Sequence, residues 1–230
     1  DNPNDYSTSL DDFFGLAVGV SDSYTLIGAK SEDTATETDS GIAYIFSNTT
    51  GQLLHTIDNP NPSTGNDNDN FGQSVALTDS YAVIGAPNED VGGINSGQAY
   101  IFNSATGALL HTLTNPNEFG TTGADTFGWR VAISPLYSIV GTFLEDHADG
   151  LSSGVLYIFS NSTGALLQTL VNPNAYGTAV GDNLMACGIS DTYAIGGAYK
   201  EDEATGTESG KAYIFNSATG ALLHTLDNPN

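Results

Sequence analysis

Acidic side chains return at fixed places along this chain, and they are the residues whose type and spacing could do chemistry. Asp12, Asp69, Asp125 and Asp182 each stand two residues before a Phe-Gly step or its equivalent. Nineteen or twenty residues later comes a Glu-Asp pair: Glu32-Asp33, Glu89-Asp90, Glu145-Asp146 and Glu201-Asp202. A further oxygen-bearing position follows at Asp39, Asn95, Ser152 and Glu208. Carboxylates brought close together repel unless a cation joins them, and clustered hard oxygen donors suit Ca²⁺. One ion per repeat is the expectation. A plainer chemistry competes with it: Asp closing turns through its own backbone, and Glu solvated.

Other reactive side chains do not form a comparable set. His55, His111 and His224 share one repeat position, but Gln168 occupies it in the third copy, and Gln cannot replace a catalytic base. Cys187 is the sole cysteine and has no His or Asp partner recurring with it, which favours an inert core residue over a nucleophile. His147 lies in an acidic loop, and Trp129-Arg130 break the pattern in copy three. Neither a Gly-rich phosphate loop nor a paired-carboxylate motif is present. The chain therefore reads as non-enzymatic. Asn48-Thr49-Thr50 and Asn161-Ser162-Thr163 are N-glycosylation sequons, so Asn48 and Asn161 are candidate sugar sites.

The elements that position these residues follow from a repeat. Asn-Pro-Asn begins at Asn2, Asn59, Asn115, Asn172 and Asn228, with spacings of 57, 56, 57 and 56 residues. A fixed period of this size marks a repeat architecture. In the second copy, Phe71 to Leu77 alternates, Thr78-Asp79-Ser80 turns, and Tyr81 to Ala86 is a short apolar run. After a polar loop, Gly97 to Phe102 is rich in β-formers, Asn103 to Gly107 is a tight hairpin, and Ala108 to Leu113 is a fourth strand that Pro116 helps to stop. Four-stranded units repeated radially predict an all-β, four-bladed β-propeller, four antiparallel strands per blade. It is one domain over residues 1–230, with repeats near 5–61, 62–117, 118–174 and 175–230. Closure would rest on blade four packing against blade one. The connections between strands 2 and 3, and between one blade and the next, lie on one face, and these carry the carboxylates.

The unit resembles the FG-GAP repeat of integrin alpha-subunit propellers and their bacterial relatives. Phe14-Gly15 is followed by Gly28-Ala29-Lys30, Phe71-Gly72 by Gly85-Ala86-Pro87, and Phe127-Gly128 by Gly141-Thr142-Phe143. In the fourth copy Leu184-Met185 replaces Phe-Gly ahead of Gly197-Ala198-Tyr199. The Ser-Gly-x-x-Tyr-x-Phe pattern also recurs, from Ser40, Ser96, Ser153 and Ser209. The resemblance implies a propeller and an extracellular or cell-surface setting. Two departures matter. Integrin propellers have seven blades, and the family's Asp-x-Asp-x-Asp-Gly calcium loop is absent, so calcium rests here on the converging carboxylates alone.

Composition bounds the partners. Against 27 acidic residues stand four basic ones, a formal charge of −23. Nucleic acid and anionic membrane both need a cationic surface, so neither is an expected partner. No apolar run is long enough to span a membrane. With a repeat boundary at each end, the stretch reads as a piece of a longer tandem protein. The expected function is a non-enzymatic extracellular structural module, calcium-stabilised and assembled with copies of itself, in tandem or as a homopolymer, into a filament or matrix. The alternative is an adhesin or lectin-like propeller that recognises protein or glycan.

Overall fold

The computed structural model describes residues 3, 11–34, 38–61, 68–116, 124–146, 152–173, 181–202 and 208–229. Sixteen strands form four antiparallel sheets, each a simple meander in chain order. The first blade comprises β1 (Ala17–Val20), β2 (Tyr24–Ala29), β3 (Ile42–Ser47) and β4 (Leu53–Asp58). The second comprises β5 (Ser74–Leu77), β6 (Tyr81–Ala86), β7 (Gln98–Asn103) and β8 (Leu109–Thr114). The third comprises β9 (Arg130–Ile133), β10 (Tyr137–Gly141), β11 (Val155–Ser160) and β12 (Leu166–Val171). The fourth comprises β13 (Leu184–Ile189), β14 (Tyr193–Ala198), β15 (Lys211–Asn216) and β16 (Leu222–Asp227). This is the four-bladed, all-β propeller architecture that the repeat predicts. No helix among the described residues is long and apolar enough to cross a membrane.

Local sequence sets the turns. Between strands 3 and 4 of every blade, a glycine sits at positive φ, as Gly107 does at +68°, where an L side chain would be strained. Each of these hairpins carries a register shift, at Ile101/Phe102 in the second blade. Between strands 1 and 2, Thr78 and its equivalents fold the chain back onto Tyr81, with both backbone N–H and side-chain oxygen directed at the Tyr81 carbonyl.

Each blade has a back face that meets the next blade and a front face that meets the one before. Leu26, Ala43, Ile45 and Ile57 on the back of blade one bury against Phe71, Ile84 and Phe102 on the front of blade two. The same pairing recurs from blade two to blade three and from three to four. Strand 1 starts later than its alternation predicts, at Ser74 rather than Phe71. The cause is the neighbouring blade: Phe71 N–H donates to the Ser40 carbonyl, 3.0 Å away. The Gly72 carbonyl then lies so close to Gly28 that a Cβ there would collide with it. Gly85 stands in the same relation to Gly128, and Gly141 to Met185.

Among the described residues, the expected packing of blade four on blade one is not seen. Sheet-on-sheet packing among the described residues runs from blade one to two, two to three and three to four. The front of blade one and the back of blade four stay exposed.

The Gly28, Gly85 and Gly141 contacts generate a prediction. Gly85→Ala must push the Gly128 carbonyl away, and overpacking of this kind costs about 1–3 kcal/mol. In a chain of this size each kcal/mol shifts Tm by roughly 2–4 °C. Thermal unfolding followed by circular dichroism should show that drop; an unchanged Tm would mean that the blades do not meet through this glycine.

Candidate functional site: the buried carboxylate face

The connection that leaves each blade places the first carboxylate. Asn59 Nδ2 donates to Asp69 Oδ2 at 3.0 Å, Asn115 to Asp125 at 3.0 Å and Asn172 to Asp182 at 3.0 Å. Asn61 Nδ2 continues to Glu89 Oε2 at 3.1 Å. The Asn-Pro-Asn signature is thus more than a strand stop. Its asparagines tie the end of one blade to acidic residues of the next. Asp12, Asp69, Asp125 and Asp182 are all buried, and Glu32, Glu89, Glu145 and Glu201 are fully so.

A tyrosine from strand 3 covers each glutamate. Tyr100 Oη donates to Glu89, with oxygens at 2.8 and 2.7 Å, and Tyr157 Oη donates to Glu145. Burial, reinforced by the glutamate charge, keeps the Tyr44, Tyr100 and Tyr213 hydroxyls protonated far above the ordinary phenol range. Burial also pushes Glu89 up to about 7; the Tyr100 and Asn61 hydrogen bonds counter it, and the Asp69 charge adds to it. Glu145 rises to about 7 for the same leading reason, with Tyr157 opposing and Asp125 reinforcing. Each blade therefore brings together one Asp, one Glu and one Tyr in a desolvated cluster.

The remaining acidic positions are placed apart from that cluster. Asp33 Oδ1 accepts from Asp39 N at 2.9 Å, Asp90 from Asn95 at 2.7 Å, Asp146 from Ser152 at 2.8 Å and Asp202 from Glu208 at 2.8 Å. Residues 39, 95, 152 and 208 all have φ between +52° and +54°. This second set closes the loop between strands 2 and 3 through backbone bonds. Among the described residues, no group of three or more His, Cys, Asp or Glu side chains gathers as a metal cage. What each blade offers a cation is the Asp–Glu pair, and Glu145 keeps one buried oxygen, Oε2, without a hydrogen bond.

The sequon asparagines have a structural job. Asn48 Nδ2 donates to Ser21 O at 2.8 Å and Asn161 Nδ2 to Ser134 O at 2.8 Å, while Ser104 and Ser217 make the equivalent bond from their hydroxyls. Asn161 is buried, and its nitrogen also reaches Pro135 O, as that of Asn48 reaches Asp22 O. Asn48 is exposed. The histidine position also turns out to bridge blades: His55 Nε2 lies 2.9 Å from Ala105 O, and Gln168 Nε2 donates to Ala218 O at 2.8 Å. A Gln can do this, which explains its interchange with His. Trp129 stacks on Phe143 at 5.5 Å within its own blade. Burial pushes the Cys187 thiol up to about 12, which disfavours the thiolate. His147 lies outside the described residues.

A family model described as FG-GAP repeat matches residues 3–46 and 61–102. The match falls on the first two of the four repeats, and it supports an FG-GAP repeat family. The chain is also similar to the computationally designed Ika4 protein, known from a crystal structure, at 16% identity over 94% of each chain with a TM-score of 0.52. At that identity the likeness shows the fold alone. No curated protein matches the chain.

The raised Glu89 value fixes the sign of a pH effect. A carboxyl whose folded pKa exceeds its unfolded value of 4.5 contributes stability that is full below 4.5 and is lost as pH rises through about 7. In EDTA-containing buffer, Glu89→Gln should therefore raise Tm at pH 8 and leave it near wild type at pH 5. Equal loss at both pH values would show that Glu89 is not held as a buried acid.

Proposed function

We propose that this chain is a non-enzymatic, extracellular structural repeat module that assembles with copies of itself into a filament or matrix, stabilised by Ca²⁺. One observation carries the reading: the polar groups that recur in every blade serve blade-to-blade or loop bonds, in the same way each time. Asn59, Asn115 and Asn172 hold Asp69, Asp125 and Asp182, and Asp33, Asp90, Asp146 and Asp202 close equivalent loops. A catalytic site, or a binding site confined to one blade, would make that blade depart from the others with exposed groups. Trp129 is the nearest approach to such a departure, and it spends one ring face on Phe143. The adhesin or lectin-like alternative therefore has less to stand on.

Calcium fits the buried pairs Asp12–Glu32, Asp69–Glu89, Asp125–Glu145 and Asp182–Glu201. They offer hard oxygen donors, and when bound the ion would neutralise the paired charge. It would also lower the −23 charge that pushes neighbouring copies apart. Asn48 is the position at which a glycan would attach, on the strand 3–4 hairpin and away from the carboxylate face.

An ion held only by the folded state raises its stability. Millimolar Ca²⁺ should therefore raise Tm relative to EDTA, and electron microscopy of the calcium-loaded protein should show strings of propellers. A Tm indifferent to calcium, with dispersed particles at every calcium concentration, would sink this reading.

A further inference from the structure

The two ends of the blade series expose the halves of an interface that the chain builds three times internally. On the back of blade four, Ile195 is 42% exposed, whereas its counterparts Leu26, Val83 and Ile139 are 0%. Leu226 is 43% exposed, against 4% for Ile57 and 1% for Leu113 and Leu170. On the front of blade one, Val18 is 64% exposed where Val75 is 8%, and Val20 is 72% exposed where Leu77 is 7%. A groove of about 440 Å³ lies on blade four beside Ile195, Ile214 and His224. One of about 580 Å³ lies on blade one beside Phe14, Ile27 and Phe46.

We infer that the back of blade four receives the front of blade one from a second copy of this chain, in the register of the internal joints. The polar groups match as closely as the apolar ones. Phe71, Phe127 and Leu184 each donate a backbone N–H to the serine carbonyl before the Gly of the preceding blade, at 3.0, 3.0 and 2.7 Å. The counterpart pair is Phe14 N–H and Ser209 O, which make no such bond within the chain. Gly28, Gly85 and Gly141 are each pressed by a carbonyl of the next blade, whereas the equivalent Gly197 meets only the Ala186 side chain of its own blade. No backbone carbonyl of the described chain presses on Gly197; the carbonyl of a second copy's Gly15 would. Asp79 accepts from Ser21 and Ser23, and Asp191 from Leu136, across internal joints. Asp22 of the second copy would accept likewise from Ser190 and Thr192. His224 repeats the place of His55, whose ring reaches Ala105 O, so it would reach the second copy's Thr49 carbonyl.

A joint between unlike faces closes into a ring or runs on as an open chain. Propellers hold about four to eight blades, and eight is the one multiple of four in that range beyond the single chain. Two copies therefore complete one ring, each supplying one back face and one front face. This pairing stands apart from the calcium and filament reading: rings that fail to stack would still weigh two chains.

Light scattering and two opposed variants test it. The wild-type chain should show twice the 23.8 kDa chain mass. Ile195→Asp and Val18→Asp, both at exposed positions of the single chain, should each keep the strand circular dichroism and halve that mass. Mixing the two variants restores one good joint, between the intact back face of Val18→Asp and the intact front face of Ile195→Asp, so two-chain particles should return. Gly197→Ala, whose new methyl would meet only Ala186 Cβ at 3.3 Å in the single chain, should also reduce pairing. A wild-type mass of one chain at all concentrations overturns the inference. So does a mass that climbs with concentration without a plateau, or a pair broken by only one of the two variants, which would mean like faces meeting.

Discussion

The backbone of one blade touches the backbone of the next at a glycine, and the rest of the architecture depends on that contact. Gly28, Gly85 and Gly141 leave room for a carbonyl of the following blade, which lets Phe71, Phe127 and Leu184 hydrogen-bond to the blade before them. Only at that separation can Phe71 and Phe127 reach zero exposure and the small Ala43, Ala82 and Ala99 pack between sheets. A four-stranded sheet of short strands buries too little by itself. Its stability comes from a neighbour on each face, and repeat proteins accordingly behave as a sum of units and joints. The first and last blades of this chain each have one neighbour.

The carboxylate face answers to the same joint. Asn59, Asn115 and Asn172 cross from the end of one blade to an aspartate of the next. Glu89 and Glu145 sit under Tyr100 and Tyr157, at the seam between strand 3 and the inter-blade connection. Burying an ionised carboxylate is costly unless it is hydrogen-bonded, protonated or joined to a cation. The protein meets this with tyrosine and asparagine donors and with values near 7 for both glutamates. Calcium would be a third means, drawn to the same oxygens.

Much of the fold was legible because it follows from periodicity. The 56–57-residue spacing, the alternation in each strand and the hairpin glycines all report backbone conformation directly, and the sixteen strands lie where they predict. Strand 1 is the exception: the alternation predicts a start at Phe71, but the Phe71 N–H donates to Ser40 of the blade before, and the strand begins at Ser74. The facing of Asp and Glu within each blade was legible from the side on which their connections lie. The tyrosine cover and the asparagine straps were not, since both depend on contacts between residues 10 or more apart. The setting of Asn161 was not legible either: its sequon is a property of three consecutive residues, but its buried, doubly bonded nitrogen is a property of the turn it packs against.

If the glycine joint governs the fold, its strength must be readable at four equivalent backbone amides, three of them satisfied within the chain. Hydrogen exchange on a single-chain species, obtained with Ile195→Asp, measures them together. The account predicts slow exchange at Phe71, Phe127 and Leu184, fast exchange at Phe14, and slowing at Phe14 alone when the wild-type chain pairs. Protection at Phe14 in the single chain, matching the other three, would contradict it, because blade one would then already have a neighbour on its front face.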